Sequence, residues 1–397
     1  MIDRIAAKPE RLIIGISSGR SAVAVDAALL RVRGSGSSLS WKLLRHETLE
    51  YSPKVRDLIL ACSEPGSGDA ASICRLNVLL GELFARAAAH VASHAGIELH
   101  SVDLIGSHGQ TLQHLPAPLI ITGIPLRGSL EVGDPAVIAE RTGVTTIAGL
   151  KARDLAAGGL GSPLVSYVDY LLLRHRTRGR LVLTLGAITS LTAIPASADP
   201  VQVIGFDVGP GTMVIDGLLT RLTGGREASD PEGRSARGGT IHPDLLARLM
   251  DHPYLKLPPP KTCGREEFGG PLLDRILREN PAAPGPDLLA TATRFTASAI
   301  ARACRSLTVP HNVYEEGVLS GGGTRNTFLV EEIKAAIPEL AINDSGEYGL
   351  PAPAKEAVAM ALLANESFLG VPNNLPAATG ASRPVVLGTI VPGGAGR

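Results

Sequence analysis

The chain has 397 residues, more than the roughly 250–300 that one hydrophobic core usually serves, so we expect two domains. Its 44% hydrophobic and 19% charged residues are typical of a soluble globular protein and exclude a disordered one. Because 38 basic residues balance 38 acidic ones, nonspecific binding to nucleic acid or anionic lipid is not expected. A small ligand is the better hypothesis.

The four cysteines show no C-x-x-C pair and no zinc-type spacing, so we expect free, mostly buried thiols in a reducing compartment. The first apolar run, at 12–14, is too short for a signal peptide. No apolar stretch is long enough to span a bilayer. These features predict a cytoplasmic protein with no membrane partner.

The first predicted element is a β-hairpin, with strands at 11–16 and 22–32 joined by a Gly/Ser turn. The turn offers hydroxyls, backbone N–H groups and a guanidinium. This mixture suits phosphate oxygens and fits a plain hairpin turn equally well. The candidate nucleotide contacts in this region are Gly15, Ser18, Gly19, Arg20 and Ser21.

A helix over 77–93 and a strand over 102–106 follow, and polar residues come directly after the strand. Open α/β sheets bind ligands at the carboxyl ends of their strands. His108, Gln110 and Thr111 are therefore candidate substrate contacts. The alternative for a lone histidine such as His108 is a structural hydrogen bond.

Asp134 precedes Pro135 in the pattern of a helix N-cap, so a substrate role for it is additional to a structural one. A glycine-rich run at 158–163 is the predicted crossing between domains, and 371–376 is the predicted return. The expected domains are 1–158 plus 374–397, and 159–373.

A second predicted hairpin, 180–186 with 190–194, precedes a strand that brings Asp207 to a glycine-rich turn. Backbone N–H groups in such a turn can bind phosphate. The alternative is a strand, a turn and a helix start, with Asp207 as a turn residue. The hairpin arrangement repeats that of the first half without a fixed sequence period. The candidate nucleotide contacts here are Gly205, Gly209, Gly211 and Thr212.

A long helix over 287–307 leads to a strand and a triple glycine, which leaves no side chain between a flat ligand and the backbone. Nucleotide binding is favoured there over a flexible turn, with Gly321, Gly322, Gly323 and Asn326 as candidates. Glu356 then lies in the first turn of an Ala- and Leu-rich helix, where the helix dipole favours an acid.

Three glycine loops in two hairpin-bearing halves resemble the superfamily of sugar kinases, Hsp70 and actin. More narrowly, the chain resembles the anhydro-N-acetylmuramic acid kinase family over essentially its whole length. This resemblance implies an α/β, two-domain actin-like (ribonuclease H-like) ATPase fold with an interdomain cleft. The motifs that carry it are Gly-Ser-His-Gly-Gln-Thr (106–111), Gly-Asp-Pro-Ala-Val-Ile-Ala (133–139), Ala-Arg-Asp-Leu-Ala-Ala-Gly-Gly (152–159), Gly-Phe-Asp-Val-Gly-Pro-Gly (205–211), Ser-Gly-Gly-Gly-Thr-Arg-Asn (320–326), Gly-Leu-Pro-Ala (349–352), Ala-Lys-Glu-Ala (354–357), Asn-Leu-Pro (374–376) and Thr-Gly-Ala (379–381).

The resemblance implies that water opens the 1,6-anhydro bond of anhydro-N-acetylmuramic acid while O6 takes the γ-phosphoryl group of ATP, with Mg²⁺ as cofactor. The product is the sugar 6-phosphate of cell-wall recycling. Asp207 matches the base that activates water, and Glu356 matches a second carboxylate at the sugar. Arg153, in the third motif, joins His108 and its neighbours as a substrate contact. A homodimer is the family's habit, and the metal ligands are unassigned.

Several positions depart from the family's pattern, and valine at one of them cannot replace a carboxylate as ligand or acceptor. These departures leave two hypotheses: a diverged kinase of this or a related sugar, or a nucleotide- or sugar-binding regulatory protein that has lost catalysis. The retained Asp207, Glu356 and triple glycine favour the kinase. The departing positions are Val23, Ala24, Gly149, Leu150, Lys151, Thr184, Ser190 and Pro353.

Overall fold

The computed structural model describes residues 2–19, 22–63, 68–307 and 314–394. Its strands, in chain order, are β1 Glu10–Ser18, β2 Ala24–Arg33, β3 Ser40–Glu50, β4 Leu104–Ile121, β5 Ile124–Val132, β6 Thr145–Ala148, β7 Gly179–Leu185, β8 Ile188–Ile194, β9 Ile204–Pro210, β10 Tyr314–Ser320, β11 Ala341–Asp344 and β12 Thr389–Val391. Its α-helices are α1 Ile2–Ala6, α2 Pro53–Ser63, α3 Ala70–His94, α4 Pro135–Thr142, α5 Leu150–Ala156, α6 Val165–Leu173, α7 Met213–Leu222, α8 Arg234–Arg237, α9 Pro243–Met250, α10 Arg265–Phe268, α11 Gly270–Glu279, α12 Gly285–Leu307, α13 Thr327–Ala336, α14 Lys355–Phe368 and α15 Pro376–Thr379.

The chain divides into two compact units, and each is built around its own sheet. Met1–Leu172 and Ala354–Arg397 form the first unit, and Leu173–Pro353 forms the second. Residues 159–172 and 354–373 thus fall in the first unit, whereas crossings at 158–163 and 371–376 were expected. The reason is packing, because α14 lies along β1 and β4 of the first sheet.

The first sheet has β1 at its centre. β1 pairs antiparallel with β2 and parallel with β4, β2 pairs antiparallel with β3, and β4 pairs parallel with β6. β12 adds an antiparallel edge beside β6. β4 is much longer than predicted and continues through the polar residues to Ile121, where it forms a hairpin with β5. The predicted hairpin of β1 and β2 is confirmed.

The second sheet repeats the same plan in the order β11-β10-β7-β8-β9. Its first strand, β7, again pairs antiparallel with the next strand and parallel with the fourth, β10. The two sheets share five strands, which are β1, β2, β3, β4 and β6 in the first unit and β7 to β11 in the second. When these strands are numbered 1 to 5 in chain order within each unit, both sheets run 3-2-1-4-5. This repeated order confirms the two-domain actin-like, ribonuclease H-like α/β fold that the resemblance implied.

Each unit also has its own hydrophobic core on one face of its sheet. In the first unit, Ile14, Ile16 and Leu29 pack against buried residues of α3, including Leu80 and Phe84. In the second unit, the core side chains of β7 to β9 pack against α7 and α12. Alternate side chains of each strand point to the opposite face. In the first sheet, that opposite face receives α14.

The expectations about thiols and membrane spans can be compared with the described residues. All four cysteines are free, and three are buried while Cys74 is exposed. Among the described residues, no helix combines the length and the apolar character needed to cross a bilayer.

Candidate functional site

α14 lies directly on the backbone of β1 and β4, at two glycines that face each other across the parallel pair. Gly15 and Gly106 are in register. A Cβ on Gly15 would lie 1.8 Å from the carbonyl oxygen of Ala357, and one on Gly106 would lie 2.2 Å from that of Met360. Gly15 therefore has a packing role, because the helix occupies the space over it, and its nucleotide contact stays a prediction.

This packing brings Glu356 to the end of β1. Every other residue of α14 is buried, whereas Glu356 is only half-buried. Its Oε2 accepts a hydrogen bond of 3.1 Å from Ser17 Oγ. The neighbouring Lys355 is buried and forms an ion pair of 2.7 Å with the equally buried Asp169, which fixes the first turn of the helix.

Ser18, at the end of β1, belongs to a second polar group. Its hydroxyl donates to Gln110 Oε1 at 2.6 Å and lies 2.8 Å from the hydroxyl of Tyr51. Burial raises the pKa of Tyr51, although its contact with Ser18 works in the opposite direction. Ser18 and Gln110, predicted to bind nucleotide and substrate respectively, are thus hydrogen-bonded to one another.

Thr111 belongs to a buried ionic cluster between β4, β5 and α5. Lys151 Nζ lies 3.0 Å from both Thr111 Oγ1 and Glu131 Oε1. Burial acts to raise the pKa of Glu131, but the Lys151 ammonium and His108 outweigh it and lower the pKa overall. His108 Nδ1 is 3.0 Å from the carbonyl oxygen of Gly109. Lys151, one of the departures from the family's pattern, therefore neutralises a buried carboxylate.

Asp134 is the N-cap of α4, as predicted. Its Oδ1 accepts from the N–H of Ala136 at 2.8 Å, and its Oδ2 accepts from Asn77 Nδ2 at 3.1 Å. The Asn77 side chain in turn accepts from the N–H of Gly133. These bonds account for the acid structurally, and its substrate role stays a prediction.

Arg153 is exposed, and its Nη1 lies 3.5 Å from the carbonyl oxygen of Val386. The adjacent Asp154 is fully buried and accepts hydrogen bonds from Asn374 Nδ2 and Thr379 Oγ1, both at 2.7 Å. Three of the family motifs thus meet at one carboxylate that stabilises the first unit. Arg153 is turned toward the C-terminal segment, and its substrate role stays a prediction.

In the second unit, Asp207 lies on β9 in a row of polar residues that crosses four strands. Strand register aligns Ser320 with Thr184, Thr184 with Ser190, and Ser190 with Asp207. Facing partners project to the same side of a sheet, here the side opposite the hydrophobic core. Thr184 and Ser190, two of the departures, therefore share a sheet face with Asp207.

Asp207 is 4% exposed, and its carboxylate is held by the segment that follows the short 3-10 helix Pro253–Lys256. Its Oδ2 accepts from Thr262 Oγ1 at 2.6 Å and from the N–H of Cys263 at 3.2 Å. The backbone carbonyl of Asp207 accepts from the Tyr254 hydroxyl at 2.6 Å. Sequence reasoning missed Thr262, since nothing in its own neighbourhood marks it.

Lys261 supplies a positive charge near this acid. Its Nζ donates to the carbonyl of Tyr254 at 3.1 Å and lies over the rings of Phe206 and Tyr254. Burial lowers the pKa of Lys261, an effect that the attraction of Asp207 partly offsets. A basic group of lowered pKa beside a held carboxylate is characteristic of functional sites.

The turn after Asp207 does not present the free donors that were expected. The N–H groups of Gly211 and Thr212 donate to the carbonyls of Ala187 and Gly186, each at 2.9 Å. A Cβ on Gly211 would lie 2.0 Å from the Gly186 oxygen. Gly211 and Thr212 therefore join the turn to the β7–β8 hairpin, which contradicts a phosphate cradle made of their N–H groups. Gly205 and Gly209, on β9, stay predictions.

The triple glycine divides into packing and open positions. A Cβ on Gly321 or Gly323 would clash with Leu185, whereas nothing lies within 4 Å of one on Gly322. Gly322 is thus the position with room for a ligand. Asn326 is the N-cap of α13, with Oδ1 accepting from the N–H of Leu329 at 2.9 Å.

Three residues of the first turn, Gly19, Arg20 and Ser21, were predicted to contact the nucleotide. Arg20 and Ser21 lie outside the described residues. Gly19 is half-buried and accepts a hydrogen bond from the N–H of Ala22. Their nucleotide roles stay predictions.

Taken unit by unit, the geometry offers two held carboxylates, each beside a hydroxyl: one lies near the end of β1, and the other is in the middle of β9. Glu356 with Ser17 serves the first unit, and Asp207 with Thr262 serves the second. Carboxylates oriented in this way can accept a proton from a hydroxyl or a water. Glycine backbone at Gly322 can approach a flat ligand closely.

Comparison with known proteins gives a consistent result. The profile of the family described as Anhydro-N-acetylmuramic acid kinase matches residues 11–393. Curated relatives of that name include one from Caldanaerobacter subterraneus subsp. tengcongensis, 41% identical over 98% of each chain. Another, from Salinibacter ruber, is 39% identical over 97% of this chain and 98% of its own. Among solved structures, component A of (R)-2-hydroxyglutaryl-CoA dehydratase from Acidaminococcus fermentans is similar with a TM-score of 0.43 and 12% identity, over 90% of this chain and 99% of that one. The chain belongs to the anhydro-N-acetylmuramic acid kinase family.

Proposed function

We propose that the protein is an ATP-dependent kinase that opens the 1,6-anhydro bond of anhydro-N-acetylmuramic acid, or of a related anhydro sugar, and phosphorylates O6. The observation that carries the proposal is family membership across residues 11–393, with both carboxylates kept. Water attacks the anomeric carbon and supplies its new hydroxyl, the bond between that carbon and O6 breaks, and the freed O6 takes the γ-phosphoryl group. ATP becomes ADP, and the product is the sugar 6-phosphate.

In this proposal, Asp207 is the general base that takes the proton of the attacking water. A positioned base contributes about 10²- to 10⁴-fold to such a step. The hydrogen bonds from Thr262 and Cys263 hold Oδ2 and so fix the plane of the carboxylate. Lys261 lies close by, and the attraction of Asp207 raises its pKa against the lowering by burial.

Glu356 is the second carboxylate, and we assign it to the sugar together with Ser17. Support comes from its burial pattern, because it is the one position of α14 that is not buried. Gln110 acts on the sugar site indirectly, because it accepts the hydrogen bond of the Ser18 hydroxyl and so orients it. His108 and Thr111 are proposed sugar contacts beside the Glu131–Lys151 pair.

ATP is the phosphoryl donor expected of a kinase family, and we infer that Mg²⁺ accompanies it. Mg²⁺ keeps several waters and is held largely by phosphate oxygens, so it neutralises charge without a cage of protein ligands. We assign no residue of this chain as its ligand. On the protein side, the exposed Gly322 is proposed to receive the nucleotide.

We further propose that the protein works in the cytoplasm as a homodimer. Four free cysteines support a reducing compartment. The hairpin of β4 and β5 supports self-association, because it carries seven exposed apolar side chains: Leu115, Leu119, Ile120, Ile121, Ile124, Leu126 and Leu130.

The test is a coupled assay of purified protein with ATP, Mg²⁺ and anhydro-N-acetylmuramic acid in H₂¹⁸O. We expect ADP release in step with a sugar phosphate that carries one ¹⁸O at the anomeric carbon. N-acetylmuramic acid, which lacks the anhydro bond, is the matched control and should give no coupled product. Binding of both ligands by calorimetry without turnover would instead establish the regulatory hypothesis.

A further inference from the structure

A compact group of metal-binding side chains lies on the surface of the first unit, between β3 and α3. Glu47, His90 and His94 each offer one ligand atom, and these three atoms lie within 4.8 Å of one another. Glu47 Oε1 is 3.1 Å from His94 Nδ1, and Glu47 Oε2 is 4.0 Å from His90 Nε2. The two imidazole rings have centroids 3.9 Å apart.

The fold brings these residues together for simple reasons. His90 and His94 are four positions apart on α3, so they lie on the same face of the helix. In the sheet register, Glu47 of β3 faces Ala27 of β2, and Ala27 faces Ile16 of β1. Ile16 belongs to the hydrophobic core that packs against α3. Because facing partners project to the same side of a sheet, Glu47 points toward α3.

We propose that Glu47, His90 and His94 form a binding site for a divalent d-block cation of the Zn²⁺ class. Two imidazoles and one carboxylate are ligands that Zn²⁺ binds at about 2.0–2.2 Å. Four-coordinate ligands at that range are about 3.3 Å apart. Glu47 Oε1 and His94 Nδ1, at 3.1 Å, already have about this spacing, and the three ligand atoms lie within 4.8 Å of one another, so side-chain rotation has to draw them together. Water takes the fourth position. The side chains are 17%, 39% and 46% exposed for Glu47, His90 and His94, which leaves an entry path.

Arg45 is the internal competitor for this site. Its Nη2 lies 2.6 Å from Glu47 Oε1, the same oxygen that faces His94. A bound cation would compete with this guanidinium for the carboxylate and would be repelled by its charge. Removing the charge of Arg45 should therefore tighten metal binding, whereas removing any of the three ligands should weaken it. This opposite sign distinguishes a metal site from a purely structural cluster.

Metal binding here would link β3 to α3 and stabilise the first unit. None of the three ligands belongs to the groups proposed for catalysis, so the effect should appear as stability and not as turnover. A cation that binds only the folded chain raises the melting temperature as its concentration exceeds the dissociation constant.

The test uses the full chain carrying Cys74→Ser, so that an exposed thiol cannot bind the probe. Equilibrium dialysis against ZnCl₂ should give one Zn²⁺ per chain, and Tm should rise by about 3 °C or more at saturation. H90A, H94A and E47Q should each weaken binding by about tenfold or more. R45Q should strengthen it. H100A, which removes an exposed histidine elsewhere, should change nothing.

Circular dichroism of each variant confirms folding, and E47Q serves as the conservative variant if a histidine replacement disturbs α3. The proposal fails if the C74S protein binds no Zn²⁺ at about 100 µM, a level at which a three-ligand site should be filled. It fails equally if H90A and H94A bind as tightly as their parent, or if R45Q weakens binding.

Discussion

Two of the hydrogen bonds that hold Asp207 reach the same carboxylate oxygen. Thr262 and the Cys263 N–H both donate to Oδ2, and the Asp207 backbone is fixed by Tyr254 and by the carbonyl of Lys261. An asparagine can keep the accepted hydrogen bonds with its own carbonyl oxygen. The two roles of this residue, turn structure and proton acceptance, can therefore be separated by a single atom.

For Asp207→Asn we expect turnover to fall about 10²-fold or more, with ATP affinity and Tm nearly unchanged. The reason is that the amide keeps the shape and loses the basic oxygen. Steady-state kinetics with calorimetry of ATP binding and a thermal melt measures all three quantities. A folded variant that retains more than about a tenth of wild-type turnover, or about 1.4 kcal/mol in barrier, would remove the assignment.

The buried Lys151–Glu131 pair permits a prediction about stability. Lys151→Met removes the ammonium partner of the Glu131 carboxylate, and we expect a loss of about 3–5 kcal/mol in the free energy of unfolding. The exposed pair Arg141–Glu82 is the matched control, and breaking it should cost at most about 1 kcal/mol. Urea unfolding followed by circular dichroism measures both. Equal effects at the two pairs would contradict the prediction.

The same pair sets a pH dependence. Burial acts to raise the pKa of Glu131, but Lys151 and His108 lower it below its ordinary value of 4.5 overall. The stabilisation by the ionised carboxylate is therefore fully present above about pH 4.5 and is lost as the pH falls through the lower folded-state pKa. The stability difference between wild type and Glu131→Gln should shrink over that acidic range. A difference that grows toward acid would reverse the sign.

At the scale of elements, α14 is the helix that positions the site of the first unit. Its contact with β1 depends on two glycines in register, and its first turn depends on the Lys355–Asp169 ion pair. Glu356 reaches Ser17 only because the helix axis lies so close to the strand. The depth of this packing thus determines the position of a proposed sugar-binding carboxylate.

Gly15→Ala should displace α14, because the added Cβ would lie 1.8 Å from the Ala357 oxygen. Overpacking of this kind costs about 1–3 kcal/mol. We also expect turnover to fall more than the folded fraction does, since the Ser17–Glu356 contact is disturbed. Gly128→Ala, which meets no atom within 4 Å, is the control. Unchanged melting of the Gly15 variant would show that the helix has more freedom than the packing implies.

The elements themselves were largely predictable, and their contacts were not. Both hairpins, the helix of 287–307 and the strand before the triple glycine follow from apolar periodicity, which is a local property. The partner of Glu356 is 339 positions away along the chain, and the carboxylate of Asp207 meets Thr262, 55 positions away. Such contacts arise from tertiary packing, so no local pattern marks them. The N–H groups of 211–212 were expected to be free for the same reason, whereas they donate to carbonyls of the neighbouring β7–β8 hairpin.

At the scale of the whole molecule, the long β4–β5 hairpin carries the largest group of exposed apolar side chains among the described residues. Beyond Gln110, β4 pairs only with β5, so the outer half of the hairpin leaves the sheet. Leu119, Ile120 and Ile121 are 64%, 71% and 48% exposed at its outer end. Exposed apolar surface of this kind is the place where we propose that two copies of the chain associate.

We expect the wild-type chain to sediment as a dimer at about 10–50 µM, and Leu119→Glu with Ile120→Glu to sediment as a monomer. A stable interface buries about 800 Å² per partner, and charges placed at its centre would disrupt it. Val201→Glu, at an apolar residue 78% exposed in the other unit, should remain dimeric. A monomeric wild type, or a double variant that stays dimeric, would contradict the proposal.

The two glycines beneath α14 also constrain protein engineering. Replacing glycine by alanine is a common route to thermostability, since alanine restricts the unfolded chain. Gly238 suits this route, because its φ is −86° and open space surrounds it. Gly15 and Gly106 do not, since main-chain oxygens of α14 occupy the volume of the missing methyl groups. A library that aims at a heat-resistant enzyme should leave these two codons fixed and place its diversity elsewhere.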